Sequence, residues 1–538
     1  MSAAGATPRV IGVAGAGTMG AGIAQVATLG GFETYLHDPF AQALERGLAA
    51  VRTGLEKGVE RGRWSDGQAE QALRRLHPLP QLEGLAPCDL VIEAAPEDLE
   101  TKRALFERLS QVCRADAVLA TNTSSLPVTA LAGAAQQPER VVGMHFFNPV
   151  PLMDLLEVVA GVESASSAIE AARYAGERMG KHVIVARDGP GFLANRCGRP
   201  FGLEALKVLS EGVASHGTVD RIVRMGGGFR MGPFELMDLV GIDVGFEVSK
   251  SFWEQSFHEP RWRPTMIQAR MVQAGRLGRK TGRGYYEYGE EHGKAAHRPD
   301  DPEPPPRGGG EGIVAVAGEG RIAEDLRDAA AQAGYDVLDL ESNGDSPQIV
   351  VDAVTSRSPL DVEPMIDDPS TLVLVLCVDG SLAELDIQGG AVGFHALPPF
   401  EESRLVELTR GAETSARDAH RAEQFVNSLG KHVEWVGDGP GLVLGRIVCQ
   451  LVNEAAFAIA EGVGMPEDVD IAMRHGYNYP RGPLEWADAI ELDHVLATLD
   501  ALHGELGEER YRPAPLLRRM VAEGRLGEAT GSGFFDYD

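Results

Sequence analysis

The sequence predicts an α/β plus all-α protein: a parallel sheet with flanking helices, followed by a helical domain, with both repeated along 538 residues. Two observations predict this fold. A glycine-rich turn near the N-terminus joins an apolar strand to an apolar-periodic helix, as in doubly wound sheets. Several motifs also return, in the same order, in the second half of the chain, which indicates an internal duplication.

The glycine-rich turn GAGTMG follows the apolar strand Val10–Val13. Gly15 lets the chain turn, Gly17 lets the backbone approach a pyrophosphate, and Gly20 lets the helix pack closely on the strand. The helix N-terminus offers free N–H groups and the positive end of its dipole to phosphates. The turn therefore predicts a Rossmann-type dinucleotide-binding domain. Its predicted cofactor-binding residues are Gly15, Gly17, Thr18, Met19 and Gly20.

An acidic residue indicates which dinucleotide binds. The next strand, near Glu33–His37, ends at Asp38, about twenty residues beyond the glycine-rich turn. A carboxylate there can accept hydrogen bonds from both ribose hydroxyls and would repel a 2′-phosphate. The sequence therefore favours NAD over NADP.

Composition argues against several other classes of protein. The net charge of −29 argues against nucleic acid or an anionic membrane as a partner. The five cysteines show no CxxC spacing, so neither a disulfide framework nor a metal site is expected. The N-terminus lacks a signal-like apolar segment, and no stretch reaches about 18 apolar residues. We expect a soluble cytoplasmic protein.

The repeat is clearest in the helical half of each copy. Asp188–Phe192 (DGPGF) matches Asp438–Leu442 (DGPGL) 250 residues later, and Gly232-Pro233 matches Gly482-Pro483 at the same offset. Apolar residues between these motifs recur at helical spacing, as in Leu203–Leu209. Matches of this length in the same order predict a duplicated domain.

The first half of each copy is also repeated, but the second copy is shorter. Val13–Gly20 matches Val316–Ala323, which lies 303 residues later, whereas Leu90–Ile92 matches Ile349–Val351, which lies 259 residues later. The smaller offset means that the second copy lacks a counterpart of the helical segment around Phe40–Leu85.

These matches divide the chain into five segments, with a linker rich in Pro, Gly and charge between the copies. We expect an NAD-binding Rossmann domain over residues 1–186, a helical domain over 187–289, the linker over 290–311, a degenerate Rossmann-like domain over 312–436 and a second helical domain over 437–538.

A histidine and a glutamate fit the pattern of a general base and its partner. His145 lies near the end of an apolar strand, where open α/β sheets bind ligands. Glu157 follows twelve residues later inside the apolar run Leu155–Val159. A buried carboxylate is costly unless it is paired, and a histidine held by a carboxylate suits proton transfer near neutral pH. From these residues alone, a core histidine and an unrelated glutamate remain the alternative.

A run of polar residues, Asn122–Leu126 (NTSSL), follows the apolar stretch Ala117–Ala120. It therefore lies at the carboxyl end of a predicted strand, where hydroxyl and amide groups can bind a substrate oxygen. Ordinary turn capping by Asn and Ser side chains is the alternative.

Six motifs in this order resemble the L-3-hydroxyacyl-CoA dehydrogenase family. They are GAGTMGAGIA (Gly15–Ala24), EAAPEDLETK (Glu93–Lys102), NTSSL (Asn122–Leu126), HFFNP (His145–Pro149), GPGFLANR (Gly189–Arg196) and GPFELMDLVGID (Gly232–Asp243). The resemblance covers Val10–Tyr288 and, more weakly, the second copy. It implies a fused two-copy enzyme that reversibly oxidises a (3S)-3-hydroxyacyl-CoA to the 3-oxoacyl-CoA with NAD, as in the β-oxidation of fatty acids.

The resemblance also implies a role for each site residue. His145 takes the proton of the substrate 3-hydroxyl while hydride leaves C3, and Glu157 orients His145. Ser124 hydrogen-bonds the reacting oxygen, and Asn195 aligns the acyl chain or thioester. The other residues implied at the cofactor site are Glu97, Lys102, Asn122 and Asn148.

A helical arm that covers the CoA is a further implication of the resemblance. Lys57 lies in this arm with Arg61 and Arg63 nearby, and a basic stripe there would offset the acidic surface. A solvated helix face is the alternative for Lys57.

The second copy departs from the family pattern. His395 and Glu407 keep the twelve-residue spacing, but the two asparagines of the first site are matched by Pro398 and Gly445. Glu319 puts a carboxylate in the presumed phosphate loop. Glu341 takes the place of the ribose-binding acid. We predict that this copy has lost catalytic activity.

Duplication also predicts how the helical domains associate. The resemblance implies pairing through these domains, and an apolar helix face needs a partner that buries it. Two such domains on one chain supply that partner at high effective concentration. We expect an internal pseudo-dimer of helical domains with one active site per chain, and a further homodimer stays open.

Two other functions stay open from the sequence. One is a dehydrogenase of a free hydroxy acid in the same family, and the other is a non-enzymatic NAD-binding structural protein. Retention of the predicted catalytic residues argues against the structural protein.

Overall fold

The computed structural model describes residues 7–289, 300–338, 346–355, 370–386 and 389–537. Glu341 and the first ten residues of the predicted linker lie outside these ranges. The chain forms two units: one contains the residues up to Arg196 together with Glu461–Tyr477, and the other contains Cys197–Ala460 and Asn478–Asp538. A short piece of the second copy therefore belongs to the same unit as the first sheet.

In the first copy a sheet with flanking helices is followed by a run of helices. The first copy contains β1 (Val10–Ala14), α1 (Thr18–Leu29), β2 (Glu33–His37), α2 (Ala41–Glu60), α3 (Asp66–Arg74), β3 (Leu76–Leu79), β4 (Leu90–Glu93), α4 (Leu99–Val112), β5 (Val118–Thr121), α5 (Val128–Ala132), β6 (Val141–Phe146), β7 (Leu155–Ala160), α6 (Ser166–Arg178), β8 (His182–Arg187), α7 (Ala194–Glu211), α8 (His216–Gly227), α9 (Pro233–Val240), α10 (Ile242–Gln255) and α11 (Met266–Gln273).

The described residues of the second copy repeat part of this order. They contain β9 (Ile313–Ala317), α12 (Arg321–Ala333), β10 (Asp336–Leu338), β11 (Ile349–Asp352), β12 (Leu372–Leu376), α13 (Leu382–Leu385), β13 (Val392–His395), β14 (Leu405–Arg410), α14 (Ala416–Ser428), β15 (His432–Trp435), α15 (Leu444–Ala460), α16 (Pro466–Tyr477), α17 (Pro483–Ile490), α18 (Leu492–Leu506) and α19 (Pro515–Ala522).

The first sheet has the strand order β3-β2-β1-β4-β5-β6-β7-β8, and every neighbouring pair is parallel except β6 with β7. The central strands β4, β5 and β6 are buried throughout their length. Strands covered on both faces need continuous apolar runs rather than alternating patterns, which explains their sequences. The predicted Rossmann-type sheet is confirmed.

The antiparallel pairing of β6 with β7 sets the position of the predicted pair. In this register His145 lies directly opposite Glu157. Residues that face each other across an antiparallel pair have side chains on the same side of the sheet, about 5 Å apart at Cβ. The twelve-residue spacing in the sequence is therefore the distance along the chain from a residue on β6 to the residue opposite it on the antiparallel strand β7.

The second sheet has the order β10-β9-β11-β12-β13-β14-β15, again with a single antiparallel pair, β13 with β14. Within the described residues, this sheet matches the first one without a counterpart of β3. No counterpart of α2 or α3 occurs between β10 and β11 in the residues described there. Among the described residues, the truncation of the second Rossmann-like copy is therefore visible as the absence of one edge strand and its two preceding helices.

Each unit joins parts of both copies through the same pair of contacts. In the first unit the amide of Arg187 donates to the carbonyl of Val463 (2.8 Å), and Arg196 pairs with Glu461 (2.8 Å). The second unit repeats these contacts at the offset of 250 residues. The amide of Gly437 donates to the carbonyl of Val213 (2.8 Å), and Arg446 pairs with Glu211 (2.8 Å). The loop and helix after the long helix of each copy therefore lie against the sheet of the other copy.

Helices of the two copies also contact each other inside the second unit. Arg446 on α15 pairs with Glu204 on α7 at 2.7 Å. Both side chains are buried, with 2% of their surface exposed. The Tyr511 hydroxyl hydrogen-bonds both residues of this pair. A buried ion pair needs such additional partners to offset desolvation. None of the helices in the described ranges combines the length and apolar character needed to cross a membrane.

The glycine-rich turn allows a matched test of the first fold element. A Cβ on Gly20 would lie 1.8 Å from the carbonyl oxygen of Gly15, whereas a Cβ on Gly17 would meet no atom within 4 Å. We expect Gly20→Ala to cost roughly 3 kcal/mol of unfolding free energy or to prevent folding, because backbone atoms cannot give way. Gly17→Ala should unfold like wild type in denaturant titrations, and equal losses in both variants would contradict this packing.

Candidate active site

The N-terminus of α1 forms the rim of the first candidate site. Gly17 and Thr18 are exposed there, and a Cβ at Gly17 would project into open space. The first-turn amides of a helix have no intrahelical acceptor and bind anions. This geometry fits a pyrophosphate that approaches the backbone at Gly17, as the sequence predicts.

Asp38 lies immediately after β2, beside this turn. Its two carboxylate oxygens accept hydrogen bonds from the amides of Ala16 (3.0 Å) and Phe40 (3.0 Å). These bonds fix the carboxylate and leave each oxygen a second lone pair for a further donor. The predicted ribose-binding residue is thus held next to the glycine-rich turn.

His145 and Glu157 form the centre of the site. His145 Nδ1 lies 2.6 Å from Glu157 Oε2, and their side chains are 6% and 0% exposed. The other oxygen of Glu157 accepts hydrogen bonds from the amides of Leu193 (3.1 Å) and Ala194 (2.8 Å) at the start of α7. Three donors therefore stabilise a buried carboxylate that would otherwise be costly.

This arrangement determines which nitrogen of His145 is reactive. An ionised carboxylate has no proton to give, so Nδ1 must carry the hydrogen. Nε2 then holds a lone pair, and it has no hydrogen-bond partner among the residues that the structure describes. The rings of Phe147 and Phe192 lie 4.5 and 5.7 Å from the imidazole, measured between centroids, and limit its rotation.

Asn122 links the ends of two neighbouring strands. Its Oδ1 accepts a hydrogen bond from the amide of Phe146 at 3.0 Å. The amide group after β5 therefore fixes the end of β6, next to His145. Asn148 lies just beyond, where its side chain is exposed.

Glu97 is held at the end of β5 by the NTSSL run. Its Oε1 accepts hydrogen bonds from the hydroxyls of Thr123 (2.6 Å) and Ser125 (3.0 Å) and from the amide of Ser124 (3.0 Å). Burial acts to raise the pKa of Glu97, but the hydroxyl of Thr123 and the charge of Lys102 outweigh it and lower the pKa. Glu97 therefore stays ionised, and the side chain of Ser124 remains exposed beside it.

Lys102 lies buried between two carboxylates. Its side chain is only 1% exposed, and its Nζ pairs with Glu93 at 2.6 Å and with Glu97 at 3.3 Å. These contacts link Lys102 to Glu97, and the role of Lys102 at the cofactor site stays a prediction. Sequence reasoning missed Glu93, although a carboxylate ending the apolar strand β4 carries the same signal as Glu157.

Asn195 lies in the first turn of α7 and is half-buried. Its Oδ1 accepts a hydrogen bond from the hydroxyl of Tyr477 at 2.7 Å. Tyr477 is the last residue of α16 and comes from the second copy, and no pattern in the sequence connects it with this site. Lys57, by contrast, is exposed on α2, and no contact of the described residues joins it to His145.

The corresponding pair of the second copy is sealed. His395 Nδ1 lies 3.7 Å from Glu407 Oε2, and the two side chains are 0% and 1% exposed. A Cβ on Gly445 would lie 2.5 Å from the His395 ring, so the ring occupies the space of the missing asparagine. Burial lowers the pKa of His395 to about 3 and raises that of Glu407 to about 8. Neither group suits proton exchange with a substrate near neutral pH.

The second glycine-rich turn is also altered. The amide of Arg321, at the start of α12, donates to Glu491 Oε2 at 2.8 Å. A carboxylate of the protein itself therefore occupies the helix N-terminus at which the first copy offers free amides. The counterpart of Glu491 in the first copy is Gly241, which has no side chain.

Two family models match this chain. The model of the 3-hydroxyacyl-CoA dehydrogenase NAD binding domain matches residues 10–189, and that of the 3-hydroxyacyl-CoA dehydrogenase C-terminal domain matches residues 191–288 and again 441–537. The 3-hydroxyadipyl-CoA dehydrogenase of Escherichia coli K12 is 36% identical over 95% of this chain and 97% of its own length.

Other relatives match only part of the chain or are known as structures. A probable 3-hydroxybutyryl-CoA dehydrogenase of Deinococcus radiodurans is 40% identical over 52% of this chain and 99% of its own length. The crystal structure of 3-hydroxybutyryl-CoA dehydrogenase from E. coli K12 has a TM-score of 0.79 at 34% identity, over 96% of this chain and 99% of that one.

The sealed pair predicts a pH dependence of stability. The pKa of Glu407 is about 8 in the folded protein and near 4.5 when unfolded, so the folded state binds the extra proton between these values. Stability should therefore fall as pH rises towards 8. His395, with its lowered pKa, contributes only below its ordinary value of 6.5.

We expect Glu407→Gln to remove this loss between pH 6.5 and 8, since glutamine still accepts a hydrogen bond from the Val443 amide (2.8 Å in the native protein). Denaturant unfolding at both pH values measures it, with the exposed Glu413→Gln as control. The same pH slope in wild type and Glu407→Gln would contradict the buried, protonated state.

Proposed function

The chain belongs to the 3-hydroxyacyl-CoA dehydrogenase family, and we propose that its first copy oxidises (3S)-3-hydroxyacyl-CoA reversibly to 3-oxoacyl-CoA. The enzyme uses NAD, which supplies the hydride acceptor when bound at the glycine-rich turn. The observation that carries the proposal is the His145–Glu157 pair at 2.6 Å. The pair lies in the same sheet as β1, the strand that precedes the glycine-rich turn. This reaction is the oxidation of the hydroxyl group in β-oxidation.

His145 acts as the general base in this proposal. Its Nε2 accepts the proton of the substrate 3-hydroxyl, and the ring becomes an imidazolium. Glu157 stabilises that cation through the short bond to Nδ1, while its own charge is held by two backbone amides. Base catalysis of this kind contributes about 10²–10⁴-fold to a rate.

Substrate contacts come from side chains around His145. We assign to Ser124 a hydrogen bond to the reacting oxygen, because its side chain is exposed next to the anchored Glu97. Asn195 aligns the thioester, and Lys57 on the exposed face of α2 contributes positive charge for the CoA phosphates.

Cofactor contacts follow from the first sheet. Asp38 would accept hydrogen bonds from the ribose hydroxyls of NAD, and Gly15–Gly20 would bind its pyrophosphate. Asn122, Asn148 and Glu97 would contribute further contacts to the cofactor; the amide of Phe146 donates to Asn122, and Glu97 pairs with the buried Lys102.

The activities of the relatives indicate which acyl groups to test as substrates. The E. coli relative with full coverage is a 3-hydroxyadipyl-CoA dehydrogenase, and the half-length relative is a probable 3-hydroxybutyryl-CoA dehydrogenase. We propose an acyl-CoA substrate of this size range. A series from 3-hydroxybutyryl-CoA to 3-hydroxyadipyl-CoA, with the free acids as controls, tests it. Turnover of the free acids alone would instead favour the free hydroxy-acid dehydrogenase.

The general base is tested by a pair of matched variants. His145→Ala should lower kcat by about 10²–10⁴-fold, because the proton acceptor is lost. NAD affinity should stay close to wild type, since His145 is not part of the glycine-rich turn. His395→Ala removes the counterpart in the second copy and should stay within a few-fold of wild type. Turnover by His145→Ala at the wild-type rate, or an equal loss in His395→Ala, would contradict a single working site.

Cofactor choice is tested at Asp38. Asp38→Asn keeps a hydrogen-bond acceptor for the amide of Ala16 or Phe40 but removes the charge. We expect NAD to bind about tenfold more weakly, since a charged acceptor is lost, and discrimination against NADP to fall. Equilibrium titration with both dinucleotides measures this. A wild-type protein that binds NADP as tightly as NAD would contradict the role of Asp38.

A further inference from the structure

One contact brings the second copy to the residues around His145. The hydroxyl of Tyr477 donates to Oδ1 of Asn195 at 2.7 Å, although the two residues are 282 positions apart in the sequence. Asn195 is on the first turn of α7, two residues beyond Leu193, whose amide holds Glu157. The contact therefore adjoins the catalytic pair of the first copy.

The duplicated chain contains this pair only once. At the repeat offset of 250, the counterpart of Tyr477 is Gly227 and the counterpart of Asn195 is Gly445. Both partners are glycine in the sealed site, so neither the donor nor the amide exists there. The tyrosine accompanies the site that keeps its asparagine, which is the pattern expected of a functional rather than a general packing contact.

The position of Oδ1 in this contact gives the amide a direction. A carboxamide presents an acceptor at one end and two donors at the other. Because the tyrosine hydroxyl donates to Oδ1, the oxygen faces Tyr477 and the NH₂ group points the other way. Without this bond the amide could turn over, and it would then offer an oxygen where a carbonyl ligand needs a donor.

The helix that carries Tyr477 is anchored on the first sheet. In the loop just before this helix, the carbonyl of Val463 accepts a hydrogen bond from the amide of Arg187 at the end of β8. Near the end of the helix, the rings of His475 and His182 stack at 3.8 Å between centroids. A hydroxyl on a support fixed at two points holds its partner more accurately than one on a free loop.

We propose that Tyr477 is a positioning residue of the first active site: it orients Asn195 so that its NH₂ group donates to the carbonyl oxygen of the acyl thioester. This inference rests on the proposed function. It assigns to the second copy a contribution to catalysis that its own sealed site does not make.

The test is a double-mutant cycle with Tyr477→Phe and Asn195→Ala. Tyr477→Phe removes the hydroxyl and keeps the ring. We expect a roughly three- to tenfold fall in kcat/KM for the acyl-CoA, the usual effect of one hydrogen bond. The KM for NAD and the unfolding midpoint should stay unchanged. In the Asn195→Ala background, Tyr477→Phe should cause no further loss, because the amide that it orients is gone.

The matched control is Tyr479→Phe, whose ring packs against Phe201 and Phe229, and it should match wild type. Equal losses from Tyr477→Phe in both backgrounds, or no loss in either, would overturn the positioning role. Asn195→Ala with wild-type activity would overturn it as well. A wild-type protein that oxidises no 3-hydroxyacyl-CoA would overturn the proposed function and this inference together, so the two failures are distinguishable.

Discussion

The buried carboxylate of Glu157 is the constraint on which the site depends. With no exposure to solvent, its charge must be balanced by donors from the protein. One donor is His145 on the adjacent antiparallel strand, and the others are two amides at the start of α7. The same requirement therefore explains three features: the antiparallel pairing of β6 with β7, the direction of α7 and the tautomer of His145.

The second copy shows that spacing and register alone do not make a working pair. His395 faces Glu407 in the same antiparallel register, and the carboxylate again accepts backbone amides at the start of a long helix. The difference is the loss of one side chain at Gly445, which lets the imidazole move into its place. With no access to solvent, both groups are more stable neutral, which disfavours proton transfer although the fold is kept.

Local sequence patterns predicted most of the fold and the centre of the site. The glycine-rich turn, the duplication and the twelve-residue spacing each lie within short segments, so their physical causes are visible in the sequence. Tyr477 could not be predicted, because its partner is 282 residues away and no periodicity links them. The pairing of Lys102 with Glu93 could not be predicted for a related reason: a lysine in a helix is normally solvated, and only the three-dimensional fold brings it against this carboxylate.

The exchange of α16 onto the first sheet has a consequence for the history of the gene. Once Tyr477 orients Asn195, the first half of the gene no longer encodes a complete enzyme, and separation of the halves would remove a part of the catalytic apparatus. In the second copy Glu491 occupies the helix N-terminus of the nucleotide site, so that site is no longer under selection to bind a cofactor. After duplication, selection then keeps those residues of the second copy that contact the first copy. Residues that once bound ligands in the second copy can change.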